Sequence, residues 1–452
     1  MHERYTVNQL ALLRQIVGAI TRIPHKPGPI RIQDQVRLAR GKFNFRELEL
    51  VGLPAAGMRS VRDLSRLLRK DDPKLEHTAS SAKTADAIFD LVLELFVDAA
   101  AVNITAAHLK TLRDRLSQWA TGHDLTRLHI VPCFIAPRDC GDFSIGPVHF
   151  LHASHFQERR ATWEAAHQIE SDEMYGSFVR DMEKFGAHYI AEVNVCGRED
   201  DRSRELADLA VDLALSALQL VIPLSESRNF SRMSGRCWSV LRSDLVFSRH
   251  GLSGGGSNRS PGLTLGSNIF QLAISSASRL LCSVGDRING FLGNQKSTLP
   301  KLEQAWCDAA YWMHEGFAEA IGAITIAKLE TSLEVLMSAG STKMNRARLR
   351  MALKVFNGRD PDQSLFLDSS TTVDAFVEEV VATRSRVLHG TLPTLTHEAG
   401  ELSYAISSVV QDHVLKFTLA LDQYMKQADA TDDINCFLTW LKSERAWEWS
   451  WK

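Results

Sequence analysis

The sequence predicts a multi-domain α+β protein: a mostly helical N-terminal region over residues 1–120, a central mixed α/β module over 121–296, and an all-α helix bundle over 297–452. Three observations predict this. The chain has 452 residues, more than one hydrophobic core usually serves. Apolar residues recur at helical spacing in its first and last thirds. Between those thirds, β-branched runs alternate with helical stretches.

In the first region, NQLALLRQIVGAI carries a helical stripe before Pro24, Pro27 and Pro29 interrupt it. FRELELVGLPAAGMRSVRDLSRLLRK reads as a short helix, a Gly/Pro turn and an amphipathic helix. TADAIFDLVLELFVDAAAVNI is a helix with Thr84 and Asp86 as candidate caps, and AAHLKTLRDRLSQWATG is another, stopped at Gly122.

The central region opens on LTRLHIVPCFIAP and DFSIGPVHFLHAS, both strand-like. A long helical stretch, FQERRATWEAAHQIESDEMYGSFVRDMEKFG, precedes the strand AHYIAEVNVCG. SRELADLAVDLALSALQLVI reads as a helix buried on most of its surface, and RCWSVLRSDLVFSR as one or two further strands. The glycine run Gly254, Gly255 and Gly256 lacks the lysine and the following hydroxyl of a P-loop and runs into Pro261. It is expected to be a mobile surface loop.

The last region reads as five helices and a tail. LEQAWCDAAYWMHEGFAEAIG, AITIAKLETSLEVLMSAG, NRARLRMALKVFNG, TTVDAFVEEVVATRSRVLHG and ELSYAISSVVQDHVLKFTLALDQYM each carry apolar residues at helical spacing. Gly340, Gly358 and Gly390 are the expected stops of the second, third and fourth, and Thr371 or Thr372 the cap of the fourth. The tail, INCFLTWLKSERAWEWSWK, is rich in tryptophan. Packing of Trp440, Trp447, Trp449 and Trp451 on the bundle or on a second copy is favoured over base stacking.

The composition, 44% hydrophobic and 23% charged with a net charge of -2, is that of a globular protein. It does not suit a protein that coats nucleic acid or binds membranes through charge. Residues 1–72 carry 14 Lys/Arg against 7 Asp/Glu, and residues 300–452 carry 15 against 21. The basic N-terminal helices, with Arg62, Arg66 and Arg69, read as a solvated face; duplex nucleic-acid binding is the weaker reading. Seven scattered cysteines (Cys133, Cys140, Cys196, Cys237, Cys282, Cys307 and Cys436) form no CxxC. They suggest buried thiols in a reducing cytoplasm. MHERYTVNQLALLRQ is too charged for a signal peptide, and Asp208 and Asp212 interrupt the longest apolar stretch, so no membrane partner is expected. His149, His152 and His155 are read as structural, with no first shell for a metal nearby.

ATRSRVLHG, residues 382–390, is the most informative stretch. It contains no acid, and Gly390 followed by Pro393 should end a helix there. That places His389 in the last turn, near the negative end of the helix dipole. An imidazole can take or give a proton near neutrality. Arg384 offers a fork of donors that matches a phosphate. Together they could activate a ribose 2′-OH or protonate a 5′-oxygen while a fixed cation stabilises the phosphorane. The products would be a 2′,3′-cyclic phosphate and a 5′-hydroxyl, with no metal or other cofactor required. A helix-end arginine with a capping histidine and no chemistry would give the same pattern. Residues five apart are rotated by about 140° on an ideal helix, so the two side chains do not share a face.

This stretch resembles the RxxxxH signature of HEPN domains, and more closely the Apea-like branch, in which Arg-Ser and His-Gly flank a short apolar pair. IAKLETSLEVLMSAG ahead of it is similar to that branch's second helix, with its Leu-Glu pair at Leu329 and Glu330. The resemblance covers residues 300–426 or so. It implies an endoribonuclease acting on RNA, tRNA included, with Arg384 and His389 catalytic and Ser385 in support. Glu330 would support Arg384 as an ion-pair partner, and Arg386 is a candidate RNA contact. It further implies a homodimer in which two motifs meet across a twofold axis, a trigger or neutralising partner protein, and a place in prokaryotic anti-phage defence or toxin-like growth arrest. The alternative is a non-catalytic HEPN sensor or dimerisation protein that binds a partner protein or nucleotide.

Overall fold

The first 120 residues hold strands as well as helices, which corrects the helical reading. The computed structural model describes residues 2–24, 38–44, 49–97, 103–123, 125–167, 172–236, 241–249, 251–258, 262–263, 266–366 and 370–443. After helix α1 (His2–Gly18), strands β1 (Thr21–Pro24), β2 (Arg40–Asn44) and β3 (Glu49–Leu53) form an antiparallel sheet in the order β1-β3-β2. ELVGL had been expected to lie in a helix or a turn. Its pairing on both edges, which depends on distant partners, overrides the local pattern. Helices α2 (Ala55–Asp71), α3 (Pro73–Thr78), α4 (Ser81–Phe96) and α5 (Ala106–Thr121) follow.

Spacing explains these helices. Met58, Val61, Leu64 and Leu68 line one face of α2 and are buried in a core shared with Leu13, Ile88 and Leu112. Asp72 caps α3, accepting from the backbone N–H of Lys74 and Leu75. The cap of α4 is Ser80, one turn ahead of the expected Thr84 and Asp86. Thr84 instead donates back to the Ser80 carbonyl, and Asp86 pairs with Arg40.

The chain divides into two compact units. One is Met1–Arg127 with Val195–Glu205; the other is Leu128–Asn194 with Leu206–Lys452. Most of the central module thus belongs to one unit with the bundle, while residues 121–127 and 195–205 belong to the other.

The second unit begins in strand β4 (Thr126–Phe134) and the hairpin β5 (Phe143–Ile145) and β6 (Val148–His152). Helices α6 (Phe156–His167) and α7 (Asp172–Phe185) fall where one long helical stretch was expected. Strand β7 (Tyr189–Cys196), helix α8 (Asp200–Val221), the short α9 (Leu224–Ser227) and β8 (Ser231–Arg232) complete a five-stranded sheet in the order β5-β6-β7-β4-β8. In its register Val148 faces Val193 and Phe150 faces Ala191, and all four are buried. Gly146, with φ of 57°, turns the hairpin. A Cβ there would meet the Gly285 carbonyl oxygen at 2.4 Å, so two glycines allow backbone to approach backbone.

The glycine run is not a loop. Strand β10 (Gly251–Asn258) pairs antiparallel with β9 (Leu241–Ser248) along its whole length, Gly255 facing Asp244. Backbone groups alone make the ladder, so missing side chains do not prevent it. Leu245 and Phe247 stand exposed on this ribbon.

Helices α10 (Ser267–Ser276) and α11 (Ser278–Leu292) lead into the bundle: α12 (Pro300–Phe317), α13 (Gly322–Leu336), α14 (Thr342–Asn357), α15 (Val373–Leu388), α16 (Gly400–Tyr424) and α17 (Ile434–Ser443). Helix α13 lies at the centre, packed on α12, α15 and α16. Its Ile326, Leu329, Leu333 and Leu336 are wholly buried. On α12, Gly316 lets Leu329 approach; a Cβ there would come within 2.5 Å of Leu329 Cδ2. Trp306 donates from Nε1 to Thr418 Oγ1 at 2.7 Å, tying α12 to α16. Gly358 and Gly390 adopt the left-handed conformation after α14 and α15. Trp440 packs against Tyr424 and Phe437; Trp447, Trp449 and Trp451 lie outside the described residues. No helix among the described residues is long and apolar enough to cross a membrane.

Candidate functional site

Thr372 caps α15, its side chain accepting from the Ala375 N–H at 3.2 Å. Val373, Phe376, Val377, Val380 and Val381 anchor one face of the helix in the core. That anchoring turns Arg384, one turn further on, towards α13. Arg384 Nε lies 2.8 Å from Glu330 Oε2 and donates to Thr331 Oγ1 at 3.3 Å. Its Nη2 pairs with Glu334. Glu330 is wholly buried, and its other oxygen accepts from Asn345 Nδ2 on α14. Burial raises the Glu330 carboxyl to about 7, against the opposing pull of Arg384. Arg384 is therefore clamped by two carboxylates and a hydroxyl.

His389 is placed differently. It is the C-cap residue of α15 and is exposed, and its backbone N–H bonds to the Ser385 carbonyl. Gly390, with φ of 66°, turns the chain, and the Thr391 N–H returns to the Arg386 carbonyl at 2.9 Å. Ser385 is half-buried and Arg386 exposed. Among the described residues no hydrogen bond or ion pair joins the side chains of Arg384 and His389. Leu388 and Leu395, to either side of His389 in sequence, are 65% and 83% exposed.

The histidines of HFLHASH spread along a strand end. His149 Nδ1 lies 2.9 Å from Ser144 Oγ. His155 sits between Asp142, at 3.1 Å, and Asp139, at 3.4 Å. His152 stacks on His188. Among the described residues no group of three or more His, Cys, Asp or Glu is arranged to hold a metal. Of the cysteines, Cys133, Cys140 and Cys307 are buried, but Cys196, Cys282 and Cys436 are exposed, against the expectation of mostly buried thiols; Cys237 lies outside the described residues. Several basic residues of the N-terminal region are paired with acids: Arg40 with Asp86, Lys42 with Asp90 and Arg66 with Asp63.

Sequence reasoning missed a buried polar knot and three clefts. Arg232 on β8 binds Asp212 through two nitrogens at 2.7 and 2.9 Å, and Asp208 at 3.0 Å. His314 on α12 reaches Asp212 at 3.5 Å through Nε2 and Gln219 at 3.0 Å through Nδ1. The two aspartates inside an apolar run were the signal for this knot. The largest of these three clefts, about 1010 Å³, is bordered by Phe366, Phe376, Glu379, Glu401 and Tyr404. A second, about 560 Å³, is bordered by Arg228, Thr325, His397, Gly400, Ser403 and Tyr404. The third, about 690 Å³, is bordered by Lys301, Asp308 and Glu334, so the partner of Arg384 faces open space. Compared with known proteins, the chain matches no family model, no curated protein and no solved structure.

Proposed function

We propose that the protein is an endoribonuclease of HEPN type that acts as a dimer and cuts RNA by attack of a ribose 2′-OH. The observation that carries this reading is the exposure of His389 at the end of α15, one turn beyond a clamped Arg384. An exposed imidazole can reach a ribose hydroxyl or a leaving oxygen. The clamp holds Arg384 in place, and a guanidinium so oriented is prepared for a phosphate. Exposed Leu388 and Leu395, before and after His389 in the sequence, give a second copy apolar side chains to cover. Two copies meeting there would supply two histidines to one cleft. In this proposal the activity is conditional and serves anti-phage defence or growth arrest, and a trigger or neutralising partner controls it.

One observation favours a second reading, a non-catalytic dimerisation module. Glu330 and Glu334 both face Arg384, and two carboxylates oppose a phosphate on the same guanidinium. The experiment is to incubate the wild type and His389→Ala with total RNA and with bulk tRNA in EDTA, and to map 5′-hydroxyl ends. Cleavage by the wild type alone supports the nuclease. Equal cleavage by both removes His389 from the chemistry.

A further inference from the structure

The 690 Å³ cleft opens between the first turns of α12 and the end of α13. Glu334, whose carboxylate pairs with Arg384 Nη2, forms part of its wall. The rest of the lining divides by chemistry. Ala305, Val335 and Ala339 are apolar, and Lys301, Gln304 and Asp308 are polar. A few placed polar groups on an apolar lining suit a small flat ring.

The fold leaves part of Asp308 unused. Its Oδ1 accepts from Gln304 Nε2 at 2.7 Å, one turn back on α12. Its Oδ2 has no hydrogen-bond or ion-pair partner among the described residues. The side chain is open to solvent, yet the surrounding protein removes enough water to raise its carboxyl from the ordinary value, against the pull of Gln304. Because Gln304 spends its Nε2 on Asp308, the oxygen it has left is an acceptor. Lys301 is tied to Asp432 through its backbone N–H, and its ammonium has no partner among the described residues. The polar side of the cleft thus offers acceptors next to one another, with a cation beside them.

Such a wall selects a ligand edge that carries adjacent donors. Of the four RNA bases only guanine has one, in its N1–H and N2 amino group. Uracil flanks a single N–H with two carbonyls. Adenine and cytosine each set one amino group beside a ring nitrogen that accepts. We propose that this cleft reads a guanine in the RNA, Asp308 accepting from N1–H and the N2 amino group while Gln304 fixes the carboxylate. The inference rests on the nuclease reading above: Arg384, one ion pair from the cleft, is the group assigned there to the phosphate. Unpaired bases are read in this way, by hydrogen bonds to the Watson–Crick edge, and the Lys301 ammonium serves a neighbouring phosphate.

The test is fluorescence titration of the full chain with 2′-O-methyl tetranucleotides, which cannot be cut: UUGU, UUAU, UUCU, UUUU, and UUIU with inosine. UUGU is expected to bind about tenfold or more tighter than the A, C and U forms, and UUIU, which lacks the N2 amino group, to fall between. Asp308→Asn should erase the preference and Asp308→Glu should keep part of it, with circular dichroism to show that each variant folds. The inosine comparison needs no variant. Equal affinity for all five, no binding of any, or a preference unchanged in folded Asp308→Asn overturns the proposal. The same oligonucleotides with free 2′-hydroxyls separate the two readings. Cleavage without a guanine preference sinks the cleft and leaves the nuclease; a guanine preference in binding without cleavage keeps the cleft and sinks the chemistry.

Discussion

Glu330 Oε2 lies 2.8 Å from Arg384 Nε, yet no solvent reaches the carboxylate and its proton affinity is raised to about 7. The pair thus joins a buried acid that resists ionisation to a base that is always charged. This has a sign that can be measured.

The folded-state value of Glu330 stands above its unfolded value of 4.5. The unfolded chain therefore loses this proton first as pH rises. Stability from this group is present below pH 4.5 and is lost progressively up to about pH 7. The slope is at most about 1.4 kcal/mol per pH unit. Urea melts of the wild type and Glu330→Gln across that window check it. The difference should grow with pH in favour of the variant; a constant difference would show that Glu330 titrates normally.

Arg384→Ala leaves Glu330 and Glu334 facing each other without their cation. Loss of one member of a buried pair costs about 3 kcal/mol or more. Arg384→Lys, a point charge with no fork, should recover part of it. Denaturant midpoints read this directly. A loss of RNA cleavage in Arg384→Ala is therefore informative only in a variant shown to be folded.

His389→Ala removes an exposed side chain that holds no fold contact described above. Its stability should stay within about 0.5 kcal/mol of the wild type. Gly390→Ala, at φ of 66° with open space around the added methyl, should cost about 1 kcal/mol through backbone strain alone. Thermal melts of the two variants separate the cap from the proposed chemistry.

His413 titrates in the opposite sense to Glu330. Burial lowers it to about 4 from 6.5. The unfolded chain gains this proton first as pH falls, so stability is lost below about pH 6.5 and down to about 4. His413→Gln should show a shallower acid loss in that window by denaturant titration.

Gly316→Ala places a methyl 2.5 Å from Leu329 Cδ2 and 2.8 Å from its Cγ. Overpacking of this kind costs about 1–3 kcal/mol. A smaller partner restores room, so Leu329→Val in the same chain should return part of the loss, and the double-mutant cycle measures it.

The bundle was legible in the sequence because its helices announce themselves locally. The 3.6-residue stripe, Thr372 ahead of α15, and Gly358 and Gly390 behind α14 and α15 are all short-range signals. The three-stranded sheet near the N-terminus was not legible, since Glu49–Leu53 becomes a strand only through partners up to 31 residues away, the distance from Thr21 to Gly52. The strand at Gly251–Asn258 hid for another reason: glycine carries no side-chain pattern, and only its partner β9 reveals it. At the candidate site, Arg384, His389 and Glu330 could be named from the sequence. Glu334, Thr331 and Asn345 could not, because they join Arg384 and Glu330 through packing between helices.

The knot of Asp212, Arg232 and His314 decides how the molecule can be dissected. A fragment cut at residue 297 to isolate the bundle would keep His314 but lose Asp212 and Gln219, its two buried partners. Such a fragment should aggregate on expression, and an excised piece that behaves well has to carry β4 through α16 in one span.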